Sequence, residues 1–360
     1  MSASHAAPAP APARGRIEPP TLTAIQRAAD LLRAGDIVGM PTETVYGLGA
    51  DALNPEAVAK IFAAKGRPAD HPLIVHLPDA SHMTRWASSI PKDAIALARA
   101  FWPGPLTLIL KREAGVPDEV TGGQDTVGLR VPSHSIALAL LQVFDSGIAA
   151  PSANRFGRIS PTTAAHVQEE LGDKVAMVLD GGACAVGIES TILDFSRDTP
   201  VILRPGAITA DDIARIIGRR PRVRGEADAG SSASPQAATE SDTPRVSGAL
   251  AAHYAPATPL RMLAAAQLVE EAAMLAGEGS RVAVLAHSVA DPHDARFIWQ
   301  AASADAAAYG HDLYASLREL DASGADFILL EALPTNEAWR AIADRLGRAV
   351  VGSGADQDET

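Results

Sequence analysis

Short apolar runs alternate with helical patterns through the first part of the chain. From Ile17 to about Arg220 these runs are bounded by Gly, Pro or Asp, as buried strands usually are. They are "LIVHL", "LTLIL", "VGLRV", "GIAAP", "AMVLD", "STILDF" and "VILRP". Stretches such as "SIALALLQVF" and "SPTTAAHVQEEL" between them have helical spacing. The alternation predicts an α/β domain around a largely buried sheet.

Capping residues predict where individual helices begin and end. A capping box at Thr23 and Gln26 predicts a helix running to Ala34, and "DIVGM" then indicates a strand. Asn54, followed by proline and glutamate, predicts the start of the next helix, which Gly66 ends.

The second part of the chain predicts a separate, smaller domain. Residues 221–246 are rich in Ser, Ala, Pro and charge, with few large apolar side chains, which is typical of a linker. Beyond them "RVAVLAH" and "DFILLEA" predict strands, and helices are expected near 264–276, 302–320 and 336–348. We therefore expect five segments: a disordered leader (1–16), an α/β domain (17–220), a linker (221–256), a Rossmann-like α/β domain (257–350) and a tail (351–360).

Composition narrows the class of protein. The 360-residue chain carries a net charge of −12, with the negative excess mainly after residue 220, so a broad nucleic-acid footprint is not expected. Cys184 is the single cysteine, which excludes an internal disulfide framework and indicates a reducing compartment. The Ala/Pro-rich start lacks the apolar core of a signal peptide, and no run of 18 apolar residues occurs. A cytoplasmic protein with no membrane segment is expected.

A basic cluster in "KIFAAKGRPADHPLIVHL" (60–77) indicates an anion site. Lys65 and Arg67 flank a glycine at the predicted end of a helix, and two prolines stiffen the chain after them. The alternative is a solvated pair of cations that merely interacts with the helix dipole.

Two further segments are candidates for ligand contacts. "PTETVYGLG" (41–49) follows a strand, at the end where α/β proteins usually bind ligands, although it could equally be an ordinary Thr-rich turn. In "APSANRFGRISPTTAAHV" (150–167), Ser160 and Pro161 predict a helix N-terminus, which is a ready phosphate site or simply a cap.

The common nucleotide-binding loops are not predicted. "GLGADA" (47–52) fits the loose pattern G-x-G-x-x-G/A, but its glycines precede the helix start at Asn54 instead of opening the helix. No G-x-x-x-x-G-K-[ST] occurs, so a P-loop would not hold ATP. His71, His76 and His82 lack the spacing of a metal-binding face, and no protein metal site is expected.

Taken in order, eight motifs strongly resemble the YrdC-type threonylcarbamoyl-AMP synthases, in the long form that carries an additional C-terminal domain. The resemblance spans about residues 20–256. The motifs are "PTETVYGL", "KGRP", "WPGPLTLIL", "LRVP", "PSAN", "GIESTI", "LRPG" and "HYAP". It implies a YrdC-like twisted mixed sheet for the first domain.

The resemblance also implies a reaction. L-threonine, bicarbonate or CO2, and ATP would give threonylcarbamoyl-AMP and pyrophosphate, which makes the chain a nucleotidyltransferase. Mg²⁺ would be carried with ATP. Other proteins would then transfer the threonylcarbamoyl group to position 37 of tRNA, so that tRNA is involved only indirectly.

The same resemblance assigns site residues by position in the motifs. Those expected to contact L-threonine are Thr44, His76, Arg130, Ala150 through its backbone, and Ser190. Those expected to contact ATP are Arg67, His71, Thr126, Ser152, Ser160, Arg204 and Tyr254. The expected catalytic set is Lys65, Arg67, Ser152 and Asn154. Tyr254 follows the long linker, which suggests that the linker folds over the pocket as a lid.

Two other functions fit parts of the sequence. A carbamoyl-adenylate-forming module of hydrogenase-maturation proteins shares this domain type, but those proteins carry cysteine-rich zinc fingers, and this chain has one cysteine. The second alternative is an RNA-binding assembly factor. The negative net charge and the absence of an RNA-binding signature argue against it.

Overall fold

The structure is a computed structural model that describes residues 15–226 and 243–354. Predictions for the leader before residue 15, for residues 227–242 of the linker and for the tail after residue 354 lie outside these ranges. The described strands are β1 (Arg16–Glu18), β2 (Val38–Met40), β3 (Gly47–Asp51), β4 (Ile74–His76), β5 (Ala87–Ser89), β6 (Leu106–Arg112), β7 (Thr126–Arg130), β8 (Ile148–Ala149), β9 (Met177–Leu179), β10 (Thr191–Asp194), β11 (Val201–Arg204), β12 (Arg222–Val223), β13 (Leu260–Leu263), β14 (Val282–Ala286), β15 (Phe297–Ala301) and β16 (Phe327–Glu331).

The described α-helices are α1 (Leu22–Arg33), α2 (Pro55–Lys65), α3 (Lys92–Phe101), α4 (Asp118–Thr121), α5 (Ser135–Phe144), α6 (Ala164–Leu171), α7 (Ala210–Ile217), α8 (Ala265–Gly277), α9 (Ala306–Ala322) and α10 (Arg340–Gly352). Short 3-10 helices lie at Ala80–Arg85, Gly172–Lys174 and Glu337–Trp339. Within the two described ranges, no helix combines the length and apolar composition needed to cross a bilayer.

The first domain is built on one large mixed sheet, which confirms the predicted fold class. Its strand order is β1-β9-β2-β3-β8-β4-β7-β6-β10-β11-β12, with β5 paired to β6. In the middle of the sheet β4 and β7 run parallel, and their register sets His76 beside Arg130. Both strands end at these residues, so two polar side chains meet at the same edge of the sheet.

Capping was predicted correctly for α2 and wrongly for α1. The Asn54 side chain accepts hydrogen bonds from the first free backbone N–H groups of α2, and Gly66 ends this helix with φ of 64°. The first helix begins two residues earlier than predicted, because Thr21 caps it by accepting from Ala24 N at 3.1 Å. Thr23 therefore lies inside α1.

The prediction that Ser160 and Pro161 begin a helix is wrong. Thr163 caps α6, which starts at Ala164. The preceding segment is held elsewhere, because the Pro161 carbonyl accepts a hydrogen bond from Tyr46 N at 2.8 Å.

Strand β3 was missed because "GLGAD" contains one large apolar residue. Its glycines serve close packing: a Cβ on Gly47 would lie 3.1 Å from Ala150 Cβ, and one on Gly49 would lie 3.0 Å from an Ile148 methyl group. Gly47 and Gly49 thus belong to a strand, which agrees with the rejection of a dinucleotide loop.

The second domain has the predicted small Rossmann-like architecture. Its strands are all parallel, in the order β13-β16-β14-β15. Alternate residues of β14 face opposite sides, so Val282 and Val284 pack with α8 residues while Ala283 and Leu285 pack with α9 and α10 residues. Helices on both faces bury the sheet.

The two domains share a hydrophobic cluster. Val45, Ile159 and Ile188 of the first domain pack into the same core as residues of α9 and α10. The backbones approach closely at Gly187, where a Cβ would lie 2.3 Å from the His311 carbonyl oxygen. The C-terminal domain is therefore packed tightly against the first domain.

Candidate active site

A polar cavity lies at the edge of the sheet where β4 and β7 end. It is enclosed by the turn before β3, by strand ends, and by residues 243–256, the described end of the linker, which we call the lid segment. The lining residues are Thr42, Thr44, Val45, Gly47, Ile74, His76, Arg130, Ala150, Pro151, Ser152, Glu189, Ser190, Arg204, Ser247, Gly248, His253 and Tyr254.

Arg130 is held rigidly on one side of the cavity. Its guanidinium lies 2.7 Å from Glu43 Oε1, donates to Thr44 Oγ1 at 2.9 Å and donates to the Gly104 carbonyl at 3.3 Å. Burial alone would raise the pKa of Glu43, but the charge and hydrogen bond of Arg130 outweigh it, so the pKa lies below its usual value. The pair is an ionised clamp that keeps the guanidinium oriented.

His76 is a neutral group beside this cation. Burial, followed by the charge of Arg130, lowers its pKa to about 3. Its Nδ1 is buried without a hydrogen-bond partner in the structure. An imidazole in this state offers a hydrogen bond to a ligand without adding charge.

Arg204 lines the cavity near Ser190, and Arg67 lies beside the lining. Arg204 donates through Nε and Nη2 to the Ser190 carbonyl at 3.1 and 2.9 Å, and through Nη1 to the Ser247 carbonyl at 2.9 Å. Arg67 donates to Ser247 Oγ at 3.4 Å and to the Pro72 carbonyl at 2.8 Å. Burial, together with the charge of Arg204, lowers the pKa of Arg67 to about 10. One serine of the lid segment therefore contacts both cations.

Lys65 lies behind the wall of the cavity. Its ammonium group donates to the carbonyls of Ser152 and Asn154, and Asn154 Nδ2 donates to the carbonyls of Arg155 and Arg158, each at 2.8 Å. Burial, followed by the charge of Arg67, holds the pKa of Lys65 well below its usual range. These contacts fix the loop that presents Ser152 to the cavity.

The lid segment is packed by aromatic contacts. The Tyr254 ring lies 4.2 Å from the His253 ring and stacks on Tyr314 of the C-terminal domain at 5.8 Å. Phe156 contacts the rings of both His71 and His253, with centroids 5.4 and 6.0 Å apart. Burial lowers the pKa of His253 to about 3. Among the smaller effects, the charge of Glu189 raises this pKa, and the charges of Lys65, Arg67 and Arg204 lower it.

The structure brings together most of the site residues predicted from sequence. Those that line the cavity are Thr44, His76, Arg130, Ala150, Ser152, Ser190, Arg204 and Tyr254. Ser160 does not, because its hydroxyl donates to Glu189 Oε1 at 2.6 Å. Thr126 begins β7, on the order of 13 Å along the strand from Arg130. Lys65, Arg67, His71 and Asn154 lie behind or beside the lining.

Sequence reasoning missed the acidic residues and part of the lid. Glu43 and Glu189 stand inside the motifs "PTETVYGL" and "GIESTI", but an anionic ligand predicts cations around it and gives no reason to expect carboxylates. Ser247 and Gly248 carry no signal, since "SGALAA" is an unremarkable linker sequence. Across the described ranges, no group of three His, Cys, Asp or Glu side chains is arranged to hold a metal ion.

Comparison with known proteins agrees with this two-domain fold. A family model named Sua5_yciO_yrdC, described as "Telomere recombination", matches residues 30–206. The model described as "Threonylcarbamoyl-AMP synthase, C-terminal domain" matches residues 208–350. Fold and pocket thus define a two-domain α/β protein with a YrdC-type domain and a buried, cation-lined cavity.

Relatives that match most of the chain identify the protein family more closely. The threonylcarbamoyl-AMP synthase of Pyrococcus abyssi is 38% identical, covering 90% of this chain and 93% of the relative. That of Bacillus subtilis is 40% identical, covering 91% and 93%. The crystal structure of P. abyssi Sua5 complexed with L-threonine superposes with a TM-score of 0.83 at 36% identity, covering 94% of this chain and 98% of that one. The chain belongs to the threonylcarbamoyl-AMP synthase family of enzymes.

Proposed function

We propose that this protein forms threonylcarbamoyl-AMP and pyrophosphate from L-threonine, bicarbonate or CO2, and ATP. The observation that carries the proposal is that buried Arg130 and Arg204 line one cavity, with buried Arg67 beside it. His76, which is neutral, lines the same cavity. A threonine carboxylate, its carbamate and a triphosphate are all anionic, so the pocket must supply cations in the absence of a Walker loop.

L-Threonine would bind at the Arg130 side, with Thr44, His76, Ala150 and Ser190 around it. The fixed guanidinium suits a carboxylate. The Ala150 N–H already donates to the Ile74 carbonyl at 3.0 Å, so a contact from the Ala150 backbone would be made by its carbonyl, which can accept from the substrate amine. The solved relative that contains L-threonine supports this half of the site.

ATP would bind at the Arg67 and Arg204 side, with Ser152 and Tyr254 in the lining and His71 beside it. The family resemblance assigns Thr126 and Ser160 to ATP as well. Ser160 would have to exchange its bond to Glu189 for one to the nucleotide. Mg²⁺ would enter as part of the substrate, held by phosphates and water.

The proposed chemistry needs no covalent enzyme intermediate. The neutral threonine amine attacks CO2 and loses a proton to solvent, which leaves a carbamate. A carbamate oxygen then forms a bond to the α-phosphorus as the bond to pyrophosphate breaks. Catalysis would consist of positioning and charge neutralisation by Lys65, Arg67, Ser152 and Asn154. Because Lys65 binds two loop carbonyls, its contribution would come largely through the placement of Ser152.

The remaining assignments follow from the family resemblance. We propose the domain division predicted from the sequence, except that β12 (Arg222–Val223) pairs with β11 and so belongs to the first sheet. The rest of 221–256 would act as linker and lid that exclude water from a hydrolysable mixed anhydride. The product would pass to proteins that transfer the threonylcarbamoyl group to tRNA. The single cysteine, which is buried, supports a reducing, cytoplasmic location.

The test is pyrophosphate release from ATP by the purified protein, with threonine and bicarbonate each present or omitted. We expect release only when both are present, together with threonylcarbamoyl-AMP detected by mass spectrometry. Release without threonine would favour the carbamoyl-adenylate alternative. No release under any combination, with tRNA affinity that falls steeply with salt, would favour the RNA-binding alternative.

A further inference from the structure

A buried ionic network connects the C-terminal domain to the cavity. Glu189 lines the cavity, and its Oε2 accepts from Arg345 Nε at 2.8 Å and from Tyr314 Oη at 2.9 Å. Its Oε1 accepts from Ser160 Oγ at 2.6 Å. Arg345 lies on α10 and Tyr314 on α9, so two of these three donors come from the second domain.

The charge of Glu189 makes this network important for an anionic ligand. Burial alone would raise its pKa, but the charges of Arg345 and Arg204 and the hydrogen bonds lower it to about 2, so the carboxylate is ionised. A buried carboxylate that faces phosphates repels them unless a cation neutralises it. Arg345, whose side chain is fully buried, is the cation in hydrogen-bond contact with Glu189.

Arg345 also supports the lid segment. Its guanidinium carbon lies 5.4 Å from the centre of the Tyr254 ring, in the range of a cation–π contact. The same Tyr254 ring stacks on Tyr314. Neutralisation of Glu189 and placement of Tyr254 therefore depend on the same arginine.

We propose that Arg345 is a positioning residue through which the C-terminal domain completes the nucleotide half of the site. It neutralises Glu189, which fixes Ser160, and it backs the ring of Tyr254. The inference rests on the proposed function, in which the cavity binds ATP. It assigns the second domain a role in substrate affinity that its own fold, with no phosphate loop, does not suggest.

The experiment compares four variants with the full-length protein: Arg345→Met, Arg345→Lys, Glu189→Gln and the double variant Glu189→Gln/Arg345→Met. ATP affinity is measured by calorimetry, and KM and kcat by pyrophosphate release. The matched control is Arg261→Met, which removes a cation paired with Glu271 at 3.1 Å inside the C-terminal domain. Thermal unfolding shows which variants fold.

We expect Arg345→Met to weaken ATP binding and to raise the KM for ATP at least tenfold, with the KM for threonine changed less than threefold. Arg345→Lys should recover part of the loss, because the charge returns without the planar fork. The double variant should bind ATP better than Arg345→Met, since the charge of Glu189 is gone, whereas Asp344, the other partner of Arg345, keeps Arg348 at 2.8 Å. Arg261→Met should match the parent protein.

Two results would overturn the inference: ATP affinity of folded Arg345→Met equal to that of the parent, or a double variant no better than the single one. If Arg345→Met does not fold, the comparison of Arg345→Lys and the double variant with Glu189→Gln decides the question. Calorimetry separates this inference from the proposed function, because ATP binding that depends on Arg345 would support it even if no product formed.

Discussion

Gly248 offers a direct test of the lid segment. Its φ is +75°, and an added Cβ would lie 2.1 Å from Tyr254 Oη and 3.1 Å from an Arg204 guanidinium nitrogen. Gly225 is a matched control, because its φ of +83° is similar and a Cβ there would meet nothing within 4 Å. In both alanine variants we expect the free energy of unfolding to fall by about 1 kcal/mol, because alanine disfavours the left-handed backbone conformation.

The clash at Gly248 is the difference between the two variants. Overpacking against a buried ring costs about 1 to 3 kcal/mol. If this cost destabilises the closed conformation of the lid segment, kcat/KM falls roughly 5- to 150-fold. We expect Gly248→Ala to lose that much kcat/KM for ATP, while Gly225→Ala changes only the unfolding midpoint. Steady-state pyrophosphate assays measure the first quantity and denaturant titration the second. Equal activity of the two variants would show that the lid segment does not shape the reactive site.

Three further outcomes are expected. Arg67→Ala should cost on the order of 2 to 4 kcal/mol of transition-state stabilisation, and a loss of kcat/KM below about fivefold would contradict its role at the phosphate. Stability should fall as pH drops from 6.5 towards 3, because the unfolded chain protonates His76 and His253 while their pKa values in the folded protein are about 3. The loss in the free energy of unfolding is up to about 5 kcal/mol per histidine. Denaturant titrations of His253→Asn should therefore show a shallower dependence of stability on pH. A chain that ends near Arg220 should fold, as circular dichroism would report, but turn over poorly; full activity would refute the lid.

Local capping chemistry was predictable where it had no competitor. At α2 the asparagine cap and the terminal glycine act within the helix itself, and the prediction is confirmed. At Ser160 the predicted cap is wrong because tertiary contacts hold the segment. The Ser160 hydroxyl donates to Glu189, and the Pro161 carbonyl accepts from Tyr46 N. A sequence window cannot weigh a partner 29 residues away.

The sequence indicates the cations of the cavity but not the groups that pair with them. The structure places Arg130, Arg204 and the neutral His76 in the lining of one cavity, while their assignment to substrates stays a prediction. Glu43 and Glu189 were missed because an acidic side chain is useful in an anion pocket only when a particular arginine reaches it, and that depends on packing. Arg345 lies in the other domain, so no spacing rule along the chain connects it to Glu189.

Ser247 gives the protein a built-in competitor for its own ligand. Because its carbonyl and hydroxyl accept hydrogen bonds from Arg204 and Arg67, an anion that takes the same donor positions must displace a group tethered to the same chain. A tethered group acts at an effective concentration in the millimolar range, so it would weaken the binding of a nucleotide at the proposed ATP side of the cavity. Ligands that fill the cavity while leaving this serine in place would avoid that competition, which makes the threonine half the better starting point for tight binders.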